Sequence, residues 1–216
     1  MLLTRRTVLS QVAAPLLAPG GLVDPGAQLA AAARRQVGVT KGYDPAYRKL
    51  AYPGGDVPRS TGVCADVIIR AVRDAWGADL QRLVHEDMAR SFNAYPQTWG
   101  LPHPDSNIDH RRVPNLETYW ARRGARLWQA QSWTPGFSFR GELRPGDLLT
   151  WRTFPLGAPH VAVVTSGGAW PMIVQNSGWG TREEPLALMA IHAAFGHYRW
   201  RPPLPHRASP GEPRAI

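Results

Sequence analysis

The sequence predicts a single α+β domain in which the helices come before the strands. Apolar residues recur at helical spacing through the first half of the chain, whereas the second half holds short β-type runs separated by glycine and proline turns. The chain has 216 residues, with 21 glycines and 21 prolines, a content that predicts long ordered loops between short elements. Hydrophobic residues make up 44% and charged residues 19%, which excludes a disordered or fibrous chain.

Residues 1–26 are typical of an export signal. Arg5 and Arg6 precede an apolar run, and the order resembles a twin-arginine signal. Such a segment predicts export from a bacterial cytoplasm, so we expect a periplasmic or secreted protein. The remainder divides into one domain, residues 27–201, and a proline-rich tail, residues 202–216, that we expect to be disordered.

Four helices are predicted before residue 125. Asp24 is a helix-capping residue, and Gly77 is a typical helix end after a long apolar stripe. Asn115 is expected to cap the last and shortest of the four. The predicted helices cover residues 25–37, 63–76, 80–92 and 116–123, and a structured loop fills residues 40–62.

Short strands are predicted after residue 125, where runs of β-branched and aromatic residues lie between turns. The predicted strands cover residues 125–131, 148–151, 160–165, 172–176 and 197–200. Among the nine tryptophans, Trp76, Trp120 and Trp151 fall on apolar faces and are expected in the core. Three others fall in loops and are candidates for ligand contact: Trp99, Trp170 and Trp179.

Cys64 is the first candidate for chemistry. It is the only cysteine, which excludes an intramolecular disulfide, and it falls in the first turn of a predicted helix. Unpaired backbone N–H groups and the helix dipole at that position favour a thiolate, so we expect a lowered thiol pKa. His160, which opens an apolar strand directly after Pro159, is the best candidate for a catalytic base.

The order of these features resembles the NlpC-type branch of the papain-like cysteine peptidases, which cleave bacterial cell-wall peptides. The resemblance spans residues 52–176 and rests on Tyr52-Pro53-Gly54-Gly55 upstream of Cys64-Ala65-Asp66, then Pro145-Gly146-Asp147, His160-Val161-Ala162-Val163 and Val174-Gln175-Asn176. The loop sequences resemble a conserved bacterial family of unknown function within that superfamily. The resemblance implies an α+β papain-like fold, with the helix that bears Cys64 packed on an antiparallel sheet.

The resemblance also implies the roles of individual residues. Cys64 would be the nucleophile, His160 the general base and Tyr52 a hydroxyl donor near the oxyanion. Gln175 would orient His160, although the superfamily often has histidine there. Asn176 is the alternative, and because neighbouring strand residues point to opposite faces, only one of the two can face His160. The residues expected to contact substrate are Asp66, His110, Arg111, Asn176 and Trp179.

The expected activity is cysteine-dependent hydrolysis of amide bonds in peptidoglycan peptides, without a cofactor or metal. Lipid amides or other acyl groups would use the same residues. A net charge of +9 suits an anionic partner, but the arginines occur in scattered pairs without a nucleic-acid motif, so we expect no nucleic-acid binding. We expect a monomer, and the sequence contains no apolar stretch long enough to cross a membrane.

Two alternatives remain open. The glutamine at position 175 is atypical, which favours a non-catalytic module of the same fold that binds the cell wall or a partner. A metal hydrolase is the other, because histidines and acidic residues are concentrated between residues 85 and 110. That segment lacks the recurring ligand spacings of metal sites.

Overall fold

The computed structural model describes residues 24–132 and 139–203, and the part of the chain predicted to carry the export signal lies almost wholly outside them, as does most of the proline-rich tail. The helices are α1 (Pro25–Arg34), α2 (Cys64–Trp76), α3 (Leu80–Arg90) and α4 (Val113–Arg122). Helix α1 begins inside the segment assigned to the signal, because Asp24 accepts hydrogen bonds from the first N–H groups of that helix.

Six antiparallel strands form the main sheet, which confirms the α+β class. They are β3 (Arg126–Gln129), β4 (Leu148–Thr153), β5 (Ala158–Ser166), β6 (Met172–Asn176), β7 (Thr181–Pro185) and β8 (Ala193–Tyr198). Their order across the sheet is β3-β8-β4-β5-β6-β7. Two short strands, β1 (Gly42–Tyr43) and β2 (Thr61–Gly62), form a separate parallel pair.

The helices cover one face of the main sheet. Val161 and Val163 of β5 face this helical layer, which contains the largest apolar cluster. Ala162 and Val164, the alternate residues of β5, face the other side and pack in a second cluster around Trp151. Trp120 and Trp151 are fully buried, as predicted. Both faces of the central strands are therefore buried. Side chains reach open clefts at the ends of β5 and β6.

Helix α2 follows from its sequence. Its apolar residues recur at helical spacing and its inner face is buried, as predicted. The helix ends at Gly77, which has φ 65°, a left-handed conformation that glycine adopts without strain.

Helix α4 begins earlier than predicted. Arg112 is its N-cap and Pro114 occupies the first turn, where a missing N–H costs nothing. Asn115 is therefore not the cap; its side chain donates to the carbonyl oxygen of Asp109.

The loop of residues 40–62 is ordered by a buried arginine of α2. Arg70 donates to the Asp56 carboxylate at 3.0 Å and to the carbonyl oxygens of Val57 and Thr61, both at 3.0 Å. Because these contacts satisfy a charge that is shielded from water, the loop is held against α2. Among the described residues, no helix is long and apolar enough to cross a bilayer.

Candidate active site

Cys64 is the first residue of α2, as predicted. The Val63 N–H donates to Asp66 Oδ2 at 2.7 Å, which caps the helix from within its first turn. The thiol lies near the backbone N–H groups of Val161 and Ala65, which act to lower its pKa. Val161 directly follows His160, so α2 brings the thiol to the start of β5.

The charge state of Cys64 differs from the expectation. Burial raises the pKa of the thiol to about 11, and the Asp66 charge adds to the increase, although backbone N–H groups oppose it. The N–H groups of the helix terminus are present, but the loss of hydration outweighs them. Cys64 is therefore a neutral thiol near pH 7.

His160 lies on the face of the sheet opposite Cys64, because it alternates with Val161 and shares the face of Ala162 and Trp151. Its Nε2 atom lies 2.5 Å from Gln175 Oε1 on β6, and its ring packs against Trp151 with centroids 6.1 Å apart. Burial lowers the pKa of His160 to about 4, and the bond to Gln175 opposes that change. The imidazole is thus neutral near pH 7, with Nε2 engaged and Nδ1 left as the ring atom that can accept a proton.

The structure distinguishes Gln175 from Asn176. Gln175 shares the face of His160, whereas Asn176 points to the helical side and donates to the carbonyl oxygens of Gly42 and Gly62, at 3.1 and 2.9 Å. Asn176 thus holds β1 and β2 against the end of β6 on the helical side of the sheet.

Two clefts open at the start of β5. One, of about 230 Å³, is lined by Tyr43, Pro45, Val63, Cys64, Trp99, Ile108, Arg111, Arg112, Val113, Pro114 and Pro159. The other, of about 300 Å³, is lined by Tyr43, Thr153, Ala158, Pro159, His160, Ser177, Met189 and His192. Tyr43 and Pro159 belong to both, so the cysteine cleft and the histidine cleft adjoin.

Tyr43 supplies a hydroxyl that the sequence analysis did not select. Burial raises its pKa to about 12, and the charges of Cys64 and Asp66 add to the increase. A phenol with that pKa stays protonated near neutral pH and can donate a hydrogen bond. Its position next to β2 follows from pairing between loop segments, for which the sequence offers no periodic signal.

Tyr52, the hydroxyl donor that the resemblance implied, lies elsewhere. Its ring packs edge-on against His85 of α3 with centroids 5.1 Å apart. It lines neither of the two clefts. Of the two tyrosines, the structure brings Tyr43 to Cys64.

Asp66 and Arg111 form a buried ion pair. Two nitrogens of Arg111, Nε and Nη2, donate to the Asp66 carboxylate at 2.9 Å, and the side chains are only 2% and 3% exposed. Arg111 also donates to the carbonyl oxygens of Asp44 and Ala46 and lines the cysteine cleft. Asp66 and Arg111 are thus both occupied in holding the helix start and the loops together.

The remaining predicted substrate contacts do not line the clefts. His110 is buried, its Nδ1 atom has no hydrogen-bond partner, and burial lowers its pKa to about 4. Trp179 is 76% exposed on the surface. Trp99 lines the cysteine cleft and stacks under Arg112, whose guanidinium carbon lies 4.1 Å from the ring centroid.

Two acidic residues between 85 and 110, Asp87 and Asp109, make structural contacts. Asp87 binds Arg122 at 2.7 Å, Arg123 at 2.9 Å and the Tyr95 hydroxyl at 2.7 Å. Asp109 pairs with Arg112 at 3.1 Å. Within residues 24–132 and 139–203, no three metal-capable side chains come together.

A second residue that the sequence analysis missed is Glu184 on β7. It accepts a hydrogen bond from Gln175 Nε2. The strand that carries it, residues 181–185, was not predicted because its sequence, Thr-Arg-Glu-Glu-Pro, shows no alternation of apolar and polar residues.

Comparison with known sequences gives a family match. A family model described as "Domain of unknown function (DUF1287)" matches residues 30–200. A relative, "Uncharacterized protein YijF" from Escherichia coli (strain K12), is 46% identical over 175 residues, which cover 80% of each chain. No solved structure matches.

Proposed function

We propose that this chain, which belongs to the DUF1287 family, is an exported cysteine hydrolase that cleaves amide bonds in peptidoglycan peptides. The observation that carries the proposal is that the Cys64 thiol lies beside Val161, the residue that directly follows the Gln175-bound His160. A buried nucleophile, a buried base and a residue that orients the base are the groups that covalent acyl transfer uses.

The reaction would start from a neutral pair. Cys64 Sγ attacks the amide carbonyl, and because the thiol lies on the helical side of the sheet while the His160 ring faces the other side, the thiol proton would pass to His160 Nδ1 through water where the two clefts adjoin. The imidazolium then donates that proton to the leaving amine, and water hydrolyses the thioester. A neutral nucleophile and a neutral base are sufficient, since serine hydrolases also begin from an un-ionised pair.

The oxyanion would be stabilised by Tyr43 and by backbone N–H groups at the start of α2. The Tyr43 hydroxyl lines the same cleft as Cys64 and remains protonated, with a pKa of about 12. A well-aimed donor of this kind is worth roughly 3 kcal/mol in the transition state.

The peptidoglycan substrate is proposed from two features. Cell-wall peptides carry carboxylates, and Arg111 and Arg112 both line the cysteine cleft, where each already pairs with an aspartate. The placement of a cysteine helix beside a histidine-bearing strand also supports a papain-like fold of the NlpC type, as the sequence resemblance implied. Export rests on Arg5, Arg6 and the apolar run that follows them.

The test is turnover of soluble peptidoglycan fragments, with new amines detected by mass spectrometry. We expect wild-type hydrolysis to fall at least about 10³-fold in Cys64→Ala and in His160→Ala. A chelator should have no effect. Hydrolysis that survives Cys64→Ala would refute the proposal, and loss with a chelator would favour the metal alternative.

A non-catalytic module that binds wall peptides is the second candidate. The observation that favours it is the pKa of Cys64, raised to about 11, since an unactivated thiol fits a structural or binding role equally well. It predicts that fragments bind without turnover and with the same Kd in Cys64→Ala. Measuring binding and turnover on the same samples separates the two candidates.

A further inference from the structure

Three side chains from three neighbouring strands form a chain of hydrogen bonds on one face of the sheet. His160 of β5 contacts Gln175 of β6, and the amide nitrogen of Gln175 donates to Glu184 of β7. Gln175 pairs with Arg182 in the register of β6 and β7. Glu184, two residues further along, therefore lies diagonal to Gln175 on the same face.

The chain of bonds has only one consistent direction. A glutamine amide has nearly the same shape when it is rotated by 180°, so geometry alone does not fix it. A carboxylate can only accept hydrogen bonds, and the weak acceptor Met189 Sδ lies 3.4 Å from the same amide nitrogen. Because Glu184 and Met189 both accept, the amide nitrogen faces them and its oxygen faces His160.

We infer that Glu184 is a positioning residue that fixes the tautomer of His160 through Gln175. An amide oxygen can only accept, so the imidazole must donate from Nε2 and leave Nδ1 unprotonated. A rotated amide would instead present N–H groups to Nε2 and favour the tautomer protonated at Nδ1, in which Nδ1 is no longer free to accept a proton. Hydrogen bonds to a charged group would bias the amide by about 10- to 100-fold.

The catalytic meaning of this inference rests on the proposed function, whereas its structural content does not. The tautomer of His160 is a property of the folded protein that can be measured without substrate. The chain also offers a matched control in Glu183, the preceding residue of β7. Its side chain points to the opposite face, where it accepts from Arg34 Nε at 2.8 Å and from the Thr165 hydroxyl at 2.6 Å.

The experiment is ¹⁵N NMR of the histidine rings in the full-length protein near pH 7, with the His160 signals identified by their loss in His160→Gln. We expect wild type to show one tautomer, protonated at Nε2. Glu184→Gln replaces a side chain that can only accept hydrogen bonds with one of nearly the same volume that can also donate them. The Gln175 amide can then take either orientation, so both tautomers of His160 should be present in comparable amounts. Glu184→Asp keeps a carboxylate and should retain the wild-type tautomer, as should Glu183→Gln.

Two outcomes would overturn the inference: a wild-type His160 protonated at Nδ1, or a single Nε2-protonated tautomer in folded Glu184→Gln. If Glu184→Gln fails to fold, Glu184→Ala removes the acceptor of the Gln175 amide instead. A mixture of the two tautomers is expected in that variant, and a single Nε2-protonated tautomer would overturn the inference. A merely structural role for Glu184 would lower stability without mixing the tautomers.

Turnover of peptidoglycan fragments then separates this inference from the proposed function. If the tautomers behave as expected but wild type releases no amine, the hydrolase proposal fails and the positioning role stands. If turnover depends on Cys64 while His160 keeps one tautomer in every variant, the hydrolase proposal stands and the role of Glu184 fails. If both hold, Glu184→Gln should lower kcat by at least twofold and leave KM unchanged, because only molecules with the active tautomer react.

Discussion

The two halves of the candidate site are built in different ways. The half around Cys64 joins segments far apart in the chain, and the buried Asp66–Arg111 ion pair holds them together. The half around His160 is made by adjacent strands, whose register places Gln175 and Glu184 on its face. Charge pairing shapes the first half and strand alternation shapes the second, so the two should respond differently to substitution.

The largest expected effect breaks the ion pair of the cysteine half. Arg111→Met leaves the Asp66 carboxylate buried without its partner and should lower the free energy of unfolding by about 3–5 kcal/mol. Urea denaturation measures it. The control is Arg59→Met, which removes an exposed pair with Asp74 and should cost less than about 1 kcal/mol. Equal costs would show that the buried pair does not hold this half.

Acid should weaken both halves, since each contains a buried neutral histidine. The pKa values of His160 and His110 are lowered to about 4 in the folded protein, whereas the unfolded chain takes up these protons near pH 6.5. The stability they contribute is thus fully present above pH 6.5 and is lost as pH falls through 4, by roughly 3 kcal/mol for each. Unfolding free energies from pH 8 to 4 test this.

In that titration, His110→Leu should flatten the fall in stability, because the buried group no longer takes up a proton on unfolding. His103→Gln replaces an exposed histidine and should leave the slope unchanged. A slope that is insensitive to His110 would contradict the assignment of the acid sensitivity to this residue.

Removing the hydroxyl group of Tyr43 or of Tyr52 tests which tyrosine acts in the cysteine half. Tyr43→Phe should lower kcat/KM by about 10²-fold, as the loss of one oxyanion donor does. Tyr52→Phe should change it by less than about twofold, because Tyr52 lines neither cleft. Turnover of wall fragments by both variants decides between them, and the reverse order would restore the role that the resemblance implied for Tyr52.

The smallest expected effects distinguish the two neighbours at the end of β6. Asn176→Leu leaves the carbonyl oxygens of Gly42 and Gly62 without a donor and should cost about 1–3 kcal/mol of stability, with turnover per folded molecule retained. Gln175→Leu should instead lower kcat on the order of 10-fold. Denaturation and turnover are measured on both variants. If both lost only stability, or both lost only turnover, this division of roles would be contradicted.

The strand-built half was largely predictable from the sequence. Apolar periodicity predicted α2 and the strand that begins near His160, and the glycine at position 77 predicted the end of α2. Alternation along β6 predicted that Gln175 and Asn176 face opposite ways, and the structure shows which faces His160. Such features depend on residues within one or two secondary-structure elements. Local sequence patterns can therefore predict them.

The loop-built half was not predictable in the same way. The choice of Tyr43 over Tyr52 depends on how the segment of residues 40–62 folds back on α2, and no local pattern encodes that closure. The raised pKa of Cys64 depends on how completely the thiol is buried, a property of the whole packing. Glu184 was missed because β7 is polar along its whole length.

Strand β7 lies at the end of the main sheet, and this position has a consequence for hydrogen exchange. Strands at a sheet edge open locally at a lower free energy than central strands such as β5. Opening of β7 alone would separate Glu184 from Gln175 while the packing of α2 on β5 stays intact. The amide protons of β7 should therefore exchange faster than those of β5, and a ligand that slows their exchange would also favour the Nε2-protonated tautomer of His160.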